Sequence, residues 1–517
     1  MELPRLIESL ADPAAYPYPV EAVDVRQTHI SAVFLAGPYV YKVKKPVNPG
    51  FLDFTTLEKR LHFCNEEVRL NRRLAPQVYL GVVPVAQTPR GLRVEGEGAV
   101  IDWAVKMQRL PDTATFLERL QRGAVGVELV EALARRVAAF HQEAEANERI
   151  TSFGRFEAVA RNLRDIVAQA SAQAGVTIRG VVADRVRTLA EETLARLRPL
   201  IDRRAARGMP RDCHGDLHLD HVYYFPERQP PDDLVIIDCI EFNERFRFGD
   251  PVADMAFAAM DFAFGGRRDL AAHFADTYFP ACGDDEGRAL LPLYTAYRAG
   301  VRGMVEGLLL AEKEVPQAER ERAFTRARAH WFLALTELET PDRRPGLLLI
   351  GGLPGTGKST LARLLAERAG FGTICSDRVR KELAGLPPDE PTPPLLRGSL
   401  YTPERNERTY AECLHRAERL VLGGQRALID ATFREEHRRR TFLDAAVRWG
   451  VPTGMLLCQA EPATVQARLE QRRRAAPQWE QPGQSTRRYC RAVATEGSPE
   501  QALSQAIEAL RAFGLHG

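Results

Sequence analysis

Residues 352–359 read Gly352-Leu353-Pro354-Gly355-Thr356-Gly357-Lys358-Ser359, and this octet constrains the chain more than any other stretch. It fits the pattern G-x-x-x-x-G-K-[ST]. An apolar run, Leu347 to Ile350, comes directly before it, and a helical pattern, Thr360 to Arg368, directly after. Strand, glycine-rich turn and helix in that order make a phosphate cradle. Glycines let backbone N–H groups approach the oxygens, a lysine reaches the β and γ phosphates, and a hydroxyl sits on magnesium. Lys358 and Ser359 take the last two tasks, and Leu353, Pro354, Thr356 and Thr360 fill out the loop and the start of its helix. Strand-like segments at 347–350, 372–375, 427–429 and 455–458 alternate with helix-like ones, which predicts a parallel α/β sheet.

Two carboxylates close later strands of that sheet. Asp377, in Ser376-Asp377-Arg378-Val-Arg380, falls where a strand meets its helix, at the carboxyl edge where ligands gather in open α/β sheets. It is placed to accept a proton from an acceptor hydroxyl, or to cap the helix. Asp430, in Asp430-Ala-Thr-Phe433, ends an apolar strand and suits the orientation of magnesium. Arg468 and Arg472 lie four apart on a helix-like stretch, so they share one face that either closes over the phosphates or is a solvated helix end.

A chain of 517 residues is long enough for two or more domains. Glu339 to Gly346 strings charges and helix breakers, including Pro341 and Pro345, between a charged amphipathic helix and the strand at 347. The expected division is therefore 1–338, a linker at 339–346, and 347–517. In the first part a small sheet near 23–45, turning at Gly37-Pro38, precedes a mostly helical body, which suggests two lobes.

The chemistry of the first part concentrates in Cys213-His214-Gly215-Asp216-Leu-His218-Leu-Asp220-His221, followed by two apolar runs, Val222 to Phe225 and Leu234 to Asp238, around a Pro/Asp-rich turn. If the runs pair as a hairpin, His221 and Asp238 become neighbours, with Asp216 one short loop away. Phosphoryl transfer asks for that arrangement: one carboxylate near the acceptor hydroxyl and others holding magnesium across the β and γ phosphates. Upstream, alternation along a strand puts Lys42 and Lys44 on one face. Three of the eight lysines fall between 42 and 45, in a chain whose other 63 basic residues are arginine. Glu67, in a helical stretch that follows, is an acid able to hold a lysine against ATP phosphates; an exposed, charge-protected edge strand is the alternative.

On these motifs the second part resembles the P-loop kinases grouped with polynucleotide kinase and zeta toxin, over about residues 346 to 517. The resemblance implies phosphorylation of a hydroxyl, with Asp377 as general base, Arg380 on the acceptor, and Arg468 and Arg472 in a lid. Lys42, Glu67, Val105 to Pro111, His214-Gly-Asp216, Asp238 and Phe248-Gly-Asp250-Pro-Val-Ala-Asp254 resemble the aminoglycoside phosphotransferase branch of the protein-kinase-like fold, over about 20 to 335. It implies an α+β bilobal domain with Asp216 as base, Asp238 on magnesium, Lys42 as the ATP lysine paired with Glu67, and Asp250 and Asp254 bracing the catalytic loop. His221 stands where that family places a metal-binding asparagine, which opens a role for manganese as well as for magnesium. The region 25–38 carries no G-x-G-x-x-G loop. The two-part arrangement resembles bacterial fusion proteins of these two types.

Composition narrows the partners. The formal charge is +2, giving no global drive toward nucleic acid or acidic lipid. The eight cysteines include no Cys-x-x-Cys pair, and no apolar run is long enough to span a bilayer. The expectation is a reduced, cytoplasmic ATP-dependent phosphotransferase with two nucleotide sites, acting on a hydroxyl-bearing small molecule. Two alternatives stand: a polynucleotide 5′-hydroxyl kinase whose first part recruits substrate, and a nucleotide-sensing pseudokinase regulating its neighbour.

Overall fold

The computed structural model describes residues 3–50, 52–311, 315–390, 392, 396–470 and 479–517. It falls into two compact units, residues 1–159 with 197–291, and residues 160–196 with 292–517.

The first unit opens on a six-stranded antiparallel sheet. Its strands are β1 (Val23–Gln27), β2 (Ser31–Ala36), β3 (Tyr39–Lys44), β4 (Tyr79–Thr88), β5 (Gly91–Val94) and β6 (Ala99–Gln108), in the order β1-β2-β3-β6-β4-β5. Gly37, at φ 57°, makes the turn between β2 and β3, as the Gly-Pro pair predicts. Alternation sorts β3 cleanly. Tyr41 and Val43 join a core with Leu10 and Phe34, whereas Lys42 and Lys44 face the other way, toward α1 (Leu57–Asn71). Thr56 caps that helix by accepting the Lys59 N–H. Beyond the sheet the unit is largely helical, apart from a two-residue pairing of Arg211–Asp212 with Phe248–Gly249 and the short hairpin of β7 (Val222–Tyr224) and β8 (Leu234–Ile236), in which Val222 faces Ile236.

Four long helices have residues in the second unit: α2 (Phe156–Ala172), α3 (Gly180–Ala206), α5 (Leu291–Leu308) and α6 (Gln317–Leu338), with α4 (Pro251–Phe264) lying between them in the chain within the first unit. They are followed by a five-stranded parallel sheet of β9 (Gly346–Gly351), β10 (Gly372–Cys375), β11 (Arg426–Asp430), β12 (Thr453–Gln459) and β13 (Cys490–Ala494), in the order β10-β11-β9-β12-β13. Every residue of the central strand β9 is buried, which is why it reads as an unbroken apolar run. Leu361 and Leu365 of α7 (Lys358–Ala369) cover one face of the sheet. The chain continues through α8 (Ser376–Leu383), α9 (Pro403–Val421) and α10 (Glu436–Arg448) and ends in α11 (Pro499–Ala512). The upstream helices are tied to this sheet domain. Arg185 donates to Glu339 at 2.7 Å, and a Cβ added at Gly450, which adopts φ 74°, would stand 2.0 Å from the Ala329 carbonyl oxygen. Among the described residues no helix is long and apolar enough to cross a membrane.

Candidate active sites

In the first unit the loop carrying Asp216 is wired from behind. Gly215 turns at φ 86°, where a Cβ would meet the Phe246 carbonyl oxygen at 2.8 Å. The N–H groups of His214 and Gly215 donate to the two carboxylate oxygens of Asp254 at 2.9 and 2.8 Å. Asp254 sits on α4, whose N-cap is Asp250. Asp250 is itself gripped by the buried Arg204, which also holds Asp284. His214 accepts the Asp216 N–H on Nδ1 and faces the Ile237 carbonyl with Nε2, so its proton is on Nε2; burial pushes it down to about 4 and keeps it neutral.

The hairpin places the remaining groups. Asp238 leaves β8 with φ 64°, a left-handed backbone uncommon for aspartate, and turns its carboxylate toward Lys42, 2.7 Å away. Lys42 also lies 2.9 Å from Glu67 of α1. Burial opposes ionisation of Asp238, but Lys42 and His221 outweigh it and bring the carboxyl down to about 2. Burial likewise opposes the charge on Lys42, and Asp238, Glu67 and Glu241 together reverse it. His221 donates Nδ1–H to the Asp216 carbonyl at 2.9 Å, which leaves Nε2 at 3.7 Å from Asp238. The sequence-chosen Lys42, Glu67, Asp216, His221 and Asp238 therefore converge. Sequence reasoning missed the second buried lysine's role: Lys44 bridges Glu67, at 2.7 Å, and Glu241. Glu67 and Glu241 are taken up by the two lysines, so the groups that could hold a divalent cation are the Asp238 carboxylate and His221 Nε2, 3.7 Å apart; an imidazole ligand suits manganese better than magnesium.

In the second unit the phosphate loop is shaped by Gly352, Gly355 and Gly357 at φ 137°, 86° and 84°. Thr356 and Lys358 both bond the Leu353 carbonyl, at 2.8 and 2.7 Å. Thr495, just after β13, fastens the loop by donating to the Thr356 carbonyl at 2.6 Å. Asp430 ends β11 beside Ser359; burial raises its carboxyl, while Ser359 and Lys358 pull the other way. A hydroxyl and a carboxylate are hard oxygen donors that fit magnesium. Asp377, in the first turn of α8, accepts the Tyr401 O–H at 2.9 Å and lies 3.1 Å from Lys381. Arg380 bonds Asn406 at 2.6 Å under the Tyr401 ring. Arg468 donates to the carbonyls of Gly355 and Thr495, at 3.2 and 3.0 Å. It therefore grips the loop backbone and strand end, and Arg472 lies outside the described residues.

Comparison with known proteins matches two parts of the chain to families. Residues 40–292 match the phosphotransferase enzyme family, and residues 347–495 match the AAA domain family. The family matches and the fold thus define a kinase: a protein-kinase-like phosphotransferase domain followed by a P-loop domain with a parallel sheet. An uncharacterised protein of Mycobacterium tuberculosis strain H37Rv is 34% identical over 417 residues, covering 81% of this chain and 80% of that one. A Mycobacterium bovis protein matches to the same extent. The chain belongs to the same family as these mycobacterial proteins. Among solved structures, a choline/ethanolamine kinase family protein from Mesorhizobium loti aligns over 65% of this chain and 99% of its own, at 15% identity and a TM-score of 0.35.

Proposed function

We propose that the chain binds ATP at two sites and that the phosphate-loop site transfers the γ-phosphoryl group to a hydroxyl of a small molecule. The observation that carries this is the Tyr401 O–H on Asp377: the carboxylate already accepts a hydroxyl proton, as it would from an acceptor's hydroxyl. In the reaction Asp377 receives the acceptor's proton, a bond forms between the acceptor oxygen and the γ-phosphorus, the bond from γ-phosphorus to the β–γ bridging oxygen breaks, and ADP leaves. Gly352 to Thr360 wrap the phosphates, with Lys358 on the β and γ oxygens and Arg468 steadying the loop. Ser359 and Asp430 would hold Mg2+, which when bound would supply positive charge against that developing on the transferred group.

At the first site Asp216 is the base, Lys42 the ATP lysine held by Glu67, and Asp238 with His221 the place for Mg2+ or Mn2+. The eight cysteines are free, which suits a reducing cytoplasm. Incubation with γ-labelled ATP and a bacterial metabolite extract tests the reading. Label should enter a small molecule and disappear with Lys358→Ala. Label entering a 5′-hydroxyl oligonucleotide instead would favour the polynucleotide kinase alternative.

A further inference from the structure

A cavity of about 1020 Å³ runs along β10, the edge strand of the P-loop sheet. One wall is a single face of α7, on which Ser359, Ala362, Arg363, Ala366 and Glu367 recur at helical spacing; the other wall comes from α8 and α9. At one end the cavity reaches Ser359, Asp430 and Arg378, which places that end at the proposed magnesium ligands and one residue from Asp377. At the other end stand Arg416 and Arg419 of α9 and Arg179. Arg179 reaches the end of α9, its Nη1 lying 3.5 Å from the Cβ position of Gly423.

The charges on this lining are not balanced. Arg363 pairs with Glu367, Arg378 with Asp389, and Arg416 with Glu412 and Glu382. Arg179 and Arg419 are exposed and have no carboxylate partner among the described residues. A cationic acceptor would be repelled from this end. A tetrahedral dianion meets it well, because guanidinium forks from different elements can each bond separate phosphate oxygens. The cavity is at the upper end of the volumes usual for small-molecule sites, so it has room for an acceptor that carries a phosphate.

We propose that this trough is the acceptor site of the P-loop kinase and that its acceptor is a phosphate-bearing small molecule. Its existing phosphate rests on Arg179 and Arg419, and its free hydroxyl points back toward Asp377. This rests on the kinase reading of the second unit and adds the substrate class.

The test fractionates a metabolite extract on an anion exchanger and supplies each fraction, before and after alkaline phosphatase, to the full-length protein with γ-labelled ATP. Acceptor activity is expected in the retained fraction and should vanish after phosphatase. The Arg179→Ala/Arg419→Ala variant should lose roughly tenfold or more in kcat/KM for that acceptor, with KM for ATP unchanged. Both arginines are exposed, so the variant should fold. Acceptor activity in the unretained fraction, resistance to phosphatase, labelling of an oligonucleotide alone, or a variant equal to wild type would each overturn the proposal.

If no fraction is labelled, the kinase reading fails, and binding of inorganic pyrophosphate decides the trough independently. With a non-hydrolysable ATP analogue seated beforehand, wild type should bind pyrophosphate and the double variant roughly tenfold more weakly. Equal binding, or none, would contradict the trough.

Discussion

His218 Nε2 lies 3.1 Å from Asp216 Oδ1, and its other ring nitrogen lies 3.2 Å from Asp261 Oδ2. A ring that meets a carboxylate at each nitrogen donates to both only when doubly protonated. Burial disfavours that charge, but Asp261 and Asp216 overcome it and raise the imidazole to about 10. The ring is 3% exposed in its side chain and packs on Phe257. One oxygen of Asp216 is thereby fixed, and the other is turned toward His221, 3.6 Å away.

This pairing gives a pH dependence with a definite sign. The folded value lies above the ordinary value of about 6.5. The stabilisation is therefore complete below about pH 6.5 and is lost as pH rises toward 10. Thermal melts of the full-length protein should show the first unit's transition falling between pH 7 and 10. His218→Gln should flatten that slope, and an unchanged slope would mean that the ring is neutral.

Two lysines on one strand separate by role. Lys44 is 1% exposed between Glu67 and Glu241, so Lys44→Met leaves the buried Glu241 without its lysine and should cost about 3–5 kcal/mol. Lys42 is partly open and lies beside the half-exposed Asp238. Lys42→Met should melt closer to wild type yet weaken nucleotide binding at the first site. Equal loss of stability in both variants, by calorimetry, would erase the distinction.

Asp377→Asn keeps the hydrogen bond to Tyr401 but removes the base. A fall in kcat of about 10²–10⁴ is expected at unchanged KM for ATP, since general-base assistance is of that size. A rise in KM alone would make Asp377 a binding group.

Gly450→Ala should destabilise the second unit by about 1–3 kcal/mol, because the left-handed backbone and the Ala329 carbonyl both exclude a Cβ. Calorimetry of the full-length protein is the readout; unchanged melting would mean that α6 is loosely held there.

Local signals carried much of this. The phosphate loop, the parallel sheet around it and the hairpin joining His221 to Asp238 follow from motif, apolar runs and period. The last strand, Cys490–Ala494, escaped notice because it is short and carries Arg491 on an exposed position. Glu241 and Asp261 escaped because their partners, Lys44 and His218, are 197 and 43 residues away in sequence, and no periodicity encodes such pairings. The packing of residues 160–196 and 292–338 with the P-loop sheet is of the same kind: amphipathic helices announce an apolar face but not what will cover it.

The central claim is that the second unit performs the phosphoryl transfer. Its most direct test is transfer from γ-labelled ATP into a metabolite extract by wild type, Lys358→Ala and Asp216→Asn proteins. The account predicts labelling that Lys358→Ala abolishes and Asp216→Asn leaves in place. Turnover of ATP unaffected by Lys358→Ala would contradict it.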